Sequence, residues 1–165
     1  MKNKINKVKV GGIEVKNVTT FEQIFKKASY KLENEKYMDY SEKELKEDFT
    51  ELLEEAIGRF DKCYDENRIV DYDMEIITPA LTFKELKITT DLMVSAYIQR
   101  GISKITSFGD GVQLTTNDYK TFSQANMLQQ KQEAYKSLKS DIETQMLEYG
   151  SHKAISFLNK KVGVE

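Results

Sequence analysis

The chain has 165 residues, of which 39% are hydrophobic and 32% are charged, which suits one folded domain rather than a disordered chain. Its net charge of -2 comes from 25 basic and 27 acidic residues, so the composition does not favour a nucleic-acid-binding protein. A single Cys excludes an internal disulfide. We expect no signal peptide and no membrane span, and therefore folding in a cytoplasm.

The first 16 residues predict a β-hairpin. Residues 7–10 and 13–16 alternate apolar and polar side chains on either side of Gly11-Gly12, and glycine accepts the positive φ of a tight turn. The apolar residues of the two strands would share one buried face: Val8, Val10, Ile13 and Val15. An isolated hairpin is only marginally stable, so we expect this face to contact a helix or a neighbouring subunit.

Two capping-box patterns then predict the first two helices. Thr19 with Glu22 indicates a helix from about Thr20 to Glu33, followed by a polar connector over residues 34–40. Ser41 with Glu44 indicates a second helix. Its apolar residues recur at steps of three and four over roughly six turns and end with Cys63 and Tyr64, while Glu residues occupy the outer side.

Residues 65–80 are mixed in character, with two candidate extended pieces at Ile69-Val70 and Ile76-Ile77. Thr82 and Glu85 form a third capping box. The segment from Leu86 to Ile105 has apolar residues on more than one face, which predicts the central and most buried helix.

The last third of the chain predicts a loop, a long helix and a tail. Residues 107–117 are rich in glycine and polar residues and predict a loop. Apolar residues from Phe122 to Tyr149 predict a helix, and four of them recur every seven residues, which suits an antiparallel partner of the central helix. Gly150 predicts the helix end, with a non-helical tail over 151–165. That tail holds an apolar cluster: Ile155, Phe157 and Leu158.

These elements together predict a mainly α fold. We expect a small helical bundle with an N-terminal β-hairpin, an extended loop and a C-terminal arm. The predicted organisation is a hairpin arm over residues 1–18, a helical core domain over 19–150 and a tail over 151–165.

Residue patterns that carry chemistry are weak in this sequence. A catalytic dyad of Cys63 and His152 would need both in one pocket, and Cys63 lies on an apolar helical stripe where a thiol packs as a small hydrophobe. Asp71, Asp73 and Glu75 alternate as calcium-loop ligands do, but the later positions of the loop do not match. We therefore expect no catalytic residue, no cofactor and no metal site.

Three stretches, in this order, resemble a known class of phage protein. They are FTELLEEAI at 49–57, LTFKEL followed by DLMVSAYI within 81–98, and TNDYKTFSQAN at 116–126. They resemble small structural proteins of tailed bacteriophages of the head–tail connector kind, which includes adaptor and head-completion proteins. The resemblance runs from about Phe49 to Tyr149, and its third stretch is the most specific.

The resemblance implies a homo-oligomeric ring in the virion neck. Such a ring lies below the portal, joins capsid to tail, contacts portal and tail or neck proteins, and lets genomic DNA pass without sequence-specific binding. The family's fold is a small helical bundle with extended arms. Candidate contact residues between subunits or partners are the apolar ones of the hairpin and the tail: Val8, Val10, Ile13, Val15, Ile155, Phe157 and Leu158.

Other functions fit the same sequence features. A tail-completion protein of the virion is one alternative. A cytoplasmic helical adaptor or regulator that binds a partner helix through its apolar faces is another. An enzyme would require a deep polar pocket with perturbed carboxylates.

Overall fold

A computed structural model describes residues 7–10, 13–32, 40–60, 68–109 and 118–162 of the chain. The described part is mostly helical, with four helices and a small three-stranded antiparallel sheet, so the predicted mainly α fold is confirmed. The division into two arms and a core stays a prediction. Among the described residues, no helix has the length and hydropathy needed to span a membrane.

The N-terminal hairpin is present as predicted. Strands β1 (Lys7–Val10) and β2 (Ile13–Lys16) pair antiparallel, with Val8 opposite Val15 and Val10 opposite Ile13. The four apolar residues therefore share one face of the hairpin, because directly opposed residues point to the same side of a sheet. The surroundings of these four side chains, and the Gly11-Gly12 turn, lie outside the described residues.

A second sheet joins two distant parts of the chain. It contains β3 (Thr19–Thr20), β4 (Ile69–Asp71) and β5 (Ile76–Thr78) in the order β3-β5-β4, with all pairs antiparallel. Both extended pieces predicted in the mixed segment are therefore confirmed. β3 was not predicted, because a two-residue strand leaves no alternating pattern in the sequence.

Helix α1 (Phe21–Ser29) begins one residue later than predicted. Its capping box pairs Thr20 with Gln23, so the predicted box of Thr19 with Glu22 is wrong. Thr19 is a buried residue of β3, and its hydroxyl accepts a hydrogen bond from the Leu81 amide at 2.9 Å. A capping residue must leave its side chain free for its own helix, and that of Thr19 is already used.

Helices α2 (Glu42–Phe60) and α3 (Phe83–Gly109) begin at the predicted capping boxes. In the first box the Glu44 carboxylate accepts from the Ser41 amide at 2.8 Å, and the Thr82 and Glu85 pair repeats this arrangement. α3 continues three residues into the predicted loop, while the predicted helical positions at Cys63 and Tyr64 lie outside the described residues.

Helix α4 (Asp118–Val162) is a single helix of 45 residues. The predicted helix end at Gly150 and the predicted non-helical tail are therefore wrong. One interior glycine costs a helix only about 1 kcal/mol. No proline follows Gly150, and the next 12 residues include Ala, Leu and Lys, which favour helix. A glycine ends a helix only when the chain also turns away, and here it does not.

The core forms around α3, as predicted. Every residue from Ile88 to Ala96 is buried, and the apolar side of α2 packs against this run together with α1. α4 runs antiparallel to α3, since Lys87 bonds Gln145 at 2.5 Å while Tyr135 bonds Gln99 at 3.1 Å. The predicted antiparallel partnership of the last two helices is confirmed.

Candidate subunit interface

Helix α4 extends past the core. Glu148 meets Lys84 at 3.3 Å and the Tyr149 hydroxyl meets Glu85 at 2.5 Å, so both lie beside the first turn of α3. Residues 151–162 therefore continue beyond the start of α3 for about 18 Å, given a rise of 1.5 Å per residue. We call this segment the α4 extension.

Exposed apolar side chains follow one line along this end of α4. Leu147 is 73% exposed and Ile155 is 56% exposed, and Ser151 lies between them at helical spacing. With His152 they line a shallow cavity of about 320 Å³. Large apolar side chains that water reaches are the usual mark of a contact surface when they are contiguous.

Three residues of the tail were predicted to contact other chains: Ile155, Phe157 and Leu158. Of these, only Ile155 has a described side chain. Its exposure agrees with a role in contacts between chains, although the expected setting was a non-helical arm. Phe157 and Leu158 are helical in their backbone, and their side chains lie outside the described part. Leu147 was missed from the sequence, because it is not among the apolar residues at helical spacing that defined the predicted last helix.

The direction of the extension is fixed by a buried polar cluster at the base of α3, which we call the Glu85 cluster. Arg68, at the start of β4, donates to both Glu85 carboxylate oxygens, at 2.6 and 3.2 Å. The Tyr149 hydroxyl and the Thr82 amide donate to the same carboxylate at 2.5 and 2.7 Å. Glu85 therefore connects β4, α3 and α4 at the point where the extension leaves the core.

The charge state of this cluster follows from its hydrogen bonds. Burial works to raise the pKa of Glu85, but the bonds from Arg68, Tyr149 and Thr82 together outweigh burial and lower the pKa from 4.5 to about 2. The side chains of Arg68 and Glu85 are only 4% and 2% exposed. The cluster is thus an ionised pair held inside the protein, and sequence reasoning recognised only the capping role of Glu85.

A groove between α1 and α2 offers a second candidate surface, which we call the α1–α2 groove. It has a volume of about 530 Å³ and an apolar lining of Phe25, Leu45 and Phe49. Phe25 and Phe49 meet edge-on, with ring centroids 5.4 Å apart. The charged side chains of the lining are three carboxylates and two lysines: Glu22, Glu42, Glu75, Lys26 and Lys46.

Other charged residues connect core elements. Asp91, buried in α3, pairs with Lys31 and Lys87. Arg100 reaches three carboxylates of α2: Asp48, Glu51 and Glu55. These pairs hold α1 and α2 against α3, and nothing in their geometry resembles a nucleophile with its base.

The candidate chemical residues of the sequence are not brought together. His152 is exposed on the α4 extension, and Cys63 lies outside the described residues. Asp71 accepts a hydrogen bond from the Met74 amide at 2.8 Å, which is a turn contact. Within the described part of the chain, no three metal-ligating side chains form a group that could hold an ion.

Comparison with known proteins gives no relative. No protein-family model, no curated protein and no solved structure matches this chain.

Proposed function

We propose that this chain is a structural virion protein of a tailed bacteriophage, and that copies of it form a ring at the neck that connects capsid to tail. The observation that carries the proposal is the end of α4, where Leu147 is exposed before the α4 extension and Ile155 is exposed on it. A helix that continues past the core with exposed apolar side chains supports a role as a subunit of an assembly.

The rest of the molecule supports an assembly role. The β1–β2 hairpin forms its own two-stranded sheet, separate from the three-stranded one. Among the described residues no third strand pairs with it, and an unpaired strand edge can accept a strand from a neighbour. The resemblance of residues 49–149 to head–tail connector proteins supplies the neck as the location, with portal and tail proteins as partners.

The charge of the chain agrees with this location. A wall that DNA slides past should not grip phosphates strongly, and the net charge of -2 leaves little overall attraction for them. The ring would then let DNA pass without sequence-specific binding and hold its neighbours through apolar contacts.

The proposal is tested on particles purified from the source. Antibody-labelled electron microscopy gives the position of the chain, and quantitative mass spectrometry gives its copy number per particle. We expect label at the head–tail junction with a fixed copy number typical of a ring. Label elsewhere on the tail would favour a tail-completion protein instead, and absence from particles would favour a cytoplasmic adaptor that binds a partner helix.

A truncation tests the role of the extension within the particle. Deleting residues 151–165 should leave the core folded, because every described side chain from Ser151 to Ser156 is exposed. Ring assembly should be lost. A truncated chain that still enters particles normally would show that the extension has no assembly role.

A further inference from the structure

We infer that the α4 extension of one chain binds in the α1–α2 groove of a second copy, so that successive copies associate head to tail. This inference rests on the proposed ring and specifies its contact. A contact between two different surfaces of the same chain is heterologous, and repetition of such a contact closes into a ring when the rotation per subunit allows it.

The two surfaces are complementary in polarity. The groove presents the half-buried side chains of Phe25 and Leu45, with buried Phe49 beneath them, in a trough of about 530 Å³. The extension presents Ile155 on a helix about 18 Å long, which is the form of ligand that an apolar groove between helices receives.

The two surfaces are also complementary in charge. Residues 151–162 contain three lysines and no carboxylate. The lining of the groove contains three carboxylates and two lysines, which leaves one excess negative charge. At the rim, Lys46 pairs with Glu75 at 2.5 Å, which leaves Glu22, Glu42 and Lys26 as the other charged side chains of the lining. A basic helix fits this surface better than an acidic or neutral one.

The groove of the same chain does not receive its own extension in this structure. α4 is continuous through Val162, and Ile155 is 56% exposed rather than buried against α1 and α2. A second copy therefore supplies the extension, and each copy offers one extension and one groove.

Cysteine crosslinking of the full chain tests the contact directly. The variant Lys26→Cys with Ile155→Cys, made in a Cys63→Ser background, places one thiol at the groove and one on the extension. We expect mild oxidation to give a ladder of dimers and higher multimers on a non-reducing gel. Crosslinks within one chain would leave the monomer mass unchanged.

A matched control uses the neighbouring lysine of the same helix. Lys27 is exposed, follows Lys26 directly in α1 and does not line the groove. Lys27→Cys with Ile155→Cys in the same background should give little multimer. Equal ladders from both pairs, or no ladder from the groove pair, would overturn the contact.

Sedimentation velocity measures how much Ile155 contributes to the affinity of self-association. For Ile155→Glu we expect the dissociation constant of self-association to rise by about 10-fold or more, because a buried apolar contact is lost and a carboxylate meets a lining that already has one excess negative charge. The control Ile69→Glu changes an equally exposed isoleucine on β4, which is 66% exposed, and should leave the constant unchanged. Equal effects of the two substitutions, or a wild-type chain that stays monomeric at high micromolar concentration, would overturn the inference.

The particle experiment separates this inference from the neck proposal. A neck that carries the label, combined with no groove crosslink, would refute the contact and leave the ring in place. A groove crosslink combined with absence from particles would support the contact and refute the neck location.

Discussion

Helix α3 and the α4 extension differ in which side chains they bury and which they expose. α3 buries polar side chains among apolar ones: Glu85, Thr89, Thr90, Asp91 and Ser95. The α4 extension exposes an apolar side chain, Ile155, among lysines and serines. Each arrangement costs free energy unless it is compensated. For α3 the compensation is visible as hydrogen bonds and ion pairs inside the chain, whereas Ile155 stays 56% exposed and is available to the neighbour that we propose.

The comparison between α3 and the α4 extension distinguishes residues that stabilise the monomer from residues that are free to contact another molecule. The buried polar groups of α3 hold the bundle and fix where α4 points. The exposed apolar groups of the extension add nothing to the stability of the monomer. Substitutions in α3 should therefore affect folding, and substitutions in the extension should affect association.

The largest expected effect comes from the Glu85 cluster. Glu85→Gln should lower the free energy of unfolding by about 3–5 kcal/mol, because Arg68 would stay buried without its carboxylate. Urea unfolding followed by circular dichroism at neutral pH measures this. The control Glu148→Gln removes an exposed pair with Lys84 and should cost less than about 1 kcal/mol. Similar small losses for both variants would show that the cluster does not hold the fold.

The pH dependence of stability should follow from the same carboxylate. Its pKa is lowered from 4.5 to about 2 in the folded chain, so the folded state keeps Glu85 ionised where the unfolded state protonates it. The resulting stabilisation, on the order of 3 kcal/mol, is complete above pH 4.5 and is lost as pH falls from 4.5 towards 2.

The difference in unfolding free energy between wild type and Glu85→Gln isolates this contribution from that of other carboxylates. The difference should be constant above pH 5 and should shrink on acidification below about pH 4.5. A difference that does not change over this range would show that the pKa of Glu85 is ordinary in the folded chain.

Two apolar residues of α4 allow a buried and an exposed position to be compared within one helix. Ile142 is 3% exposed against the core, and Leu147, five residues later, is 73% exposed. Ile142→Ala should lower the free energy of unfolding of the monomer by about 2–5 kcal/mol. Leu147→Ala should change it by less than about 0.5 kcal/mol. Thermal or urea unfolding of dilute protein measures both, and equal losses would contradict the division of α4 into a core part and an outer part.

A small gain in stability is expected at the boundary between these two parts of α4. Gly150 is helical, and a Cβ added to it would meet nothing within 4 Å. Gly150→Ala should therefore raise the free energy of unfolding by about 0.5–1 kcal/mol. A Cβ added to Gly58 on α2 would also meet nothing within 4 Å, so Gly58→Ala gives a reference value for the expected gain in the free energy of unfolding. A loss at Gly150 alone would indicate the left-handed backbone of a helix end, as the sequence suggested.

The local structure could be predicted from the sequence where a few neighbouring residues decide the conformation. Ser41 with Glu44 and Thr82 with Glu85 fixed two helix starts, since a capping box is complete within four residues. The alternation around Gly11-Gly12 gave the hairpin register. The same local reasoning failed at Thr19, where a contact 62 residues away uses the hydroxyl that a cap would need.

The candidate interface was predicted only in part. Ile155 was named from its apolar character, and its exposure agrees with that role. The groove lined by Phe25 and Phe49 was not predicted, because it exists only where α1 and α2 come together. Leu147 was missed because helical periodicity shows which residues share a face but not where the partner helix ends.

By itself, then, the sequence determined the mainly α class, the hairpin, two of the helix starts and the antiparallel pairing of the last two helices, because periodicity and capping act over a few residues. Only the tertiary structure decided the rest. Arg68 and Tyr149 converge on Glu85 because β4 and α4 pack at the first turn of α3. α4 stays helical beyond Gly150, and residues 151–156 are exposed because α3 begins at Phe83 and offers them no surface. The burial of a side chain depends on where the neighbouring helices and strands end, and no local sequence pattern contains that information.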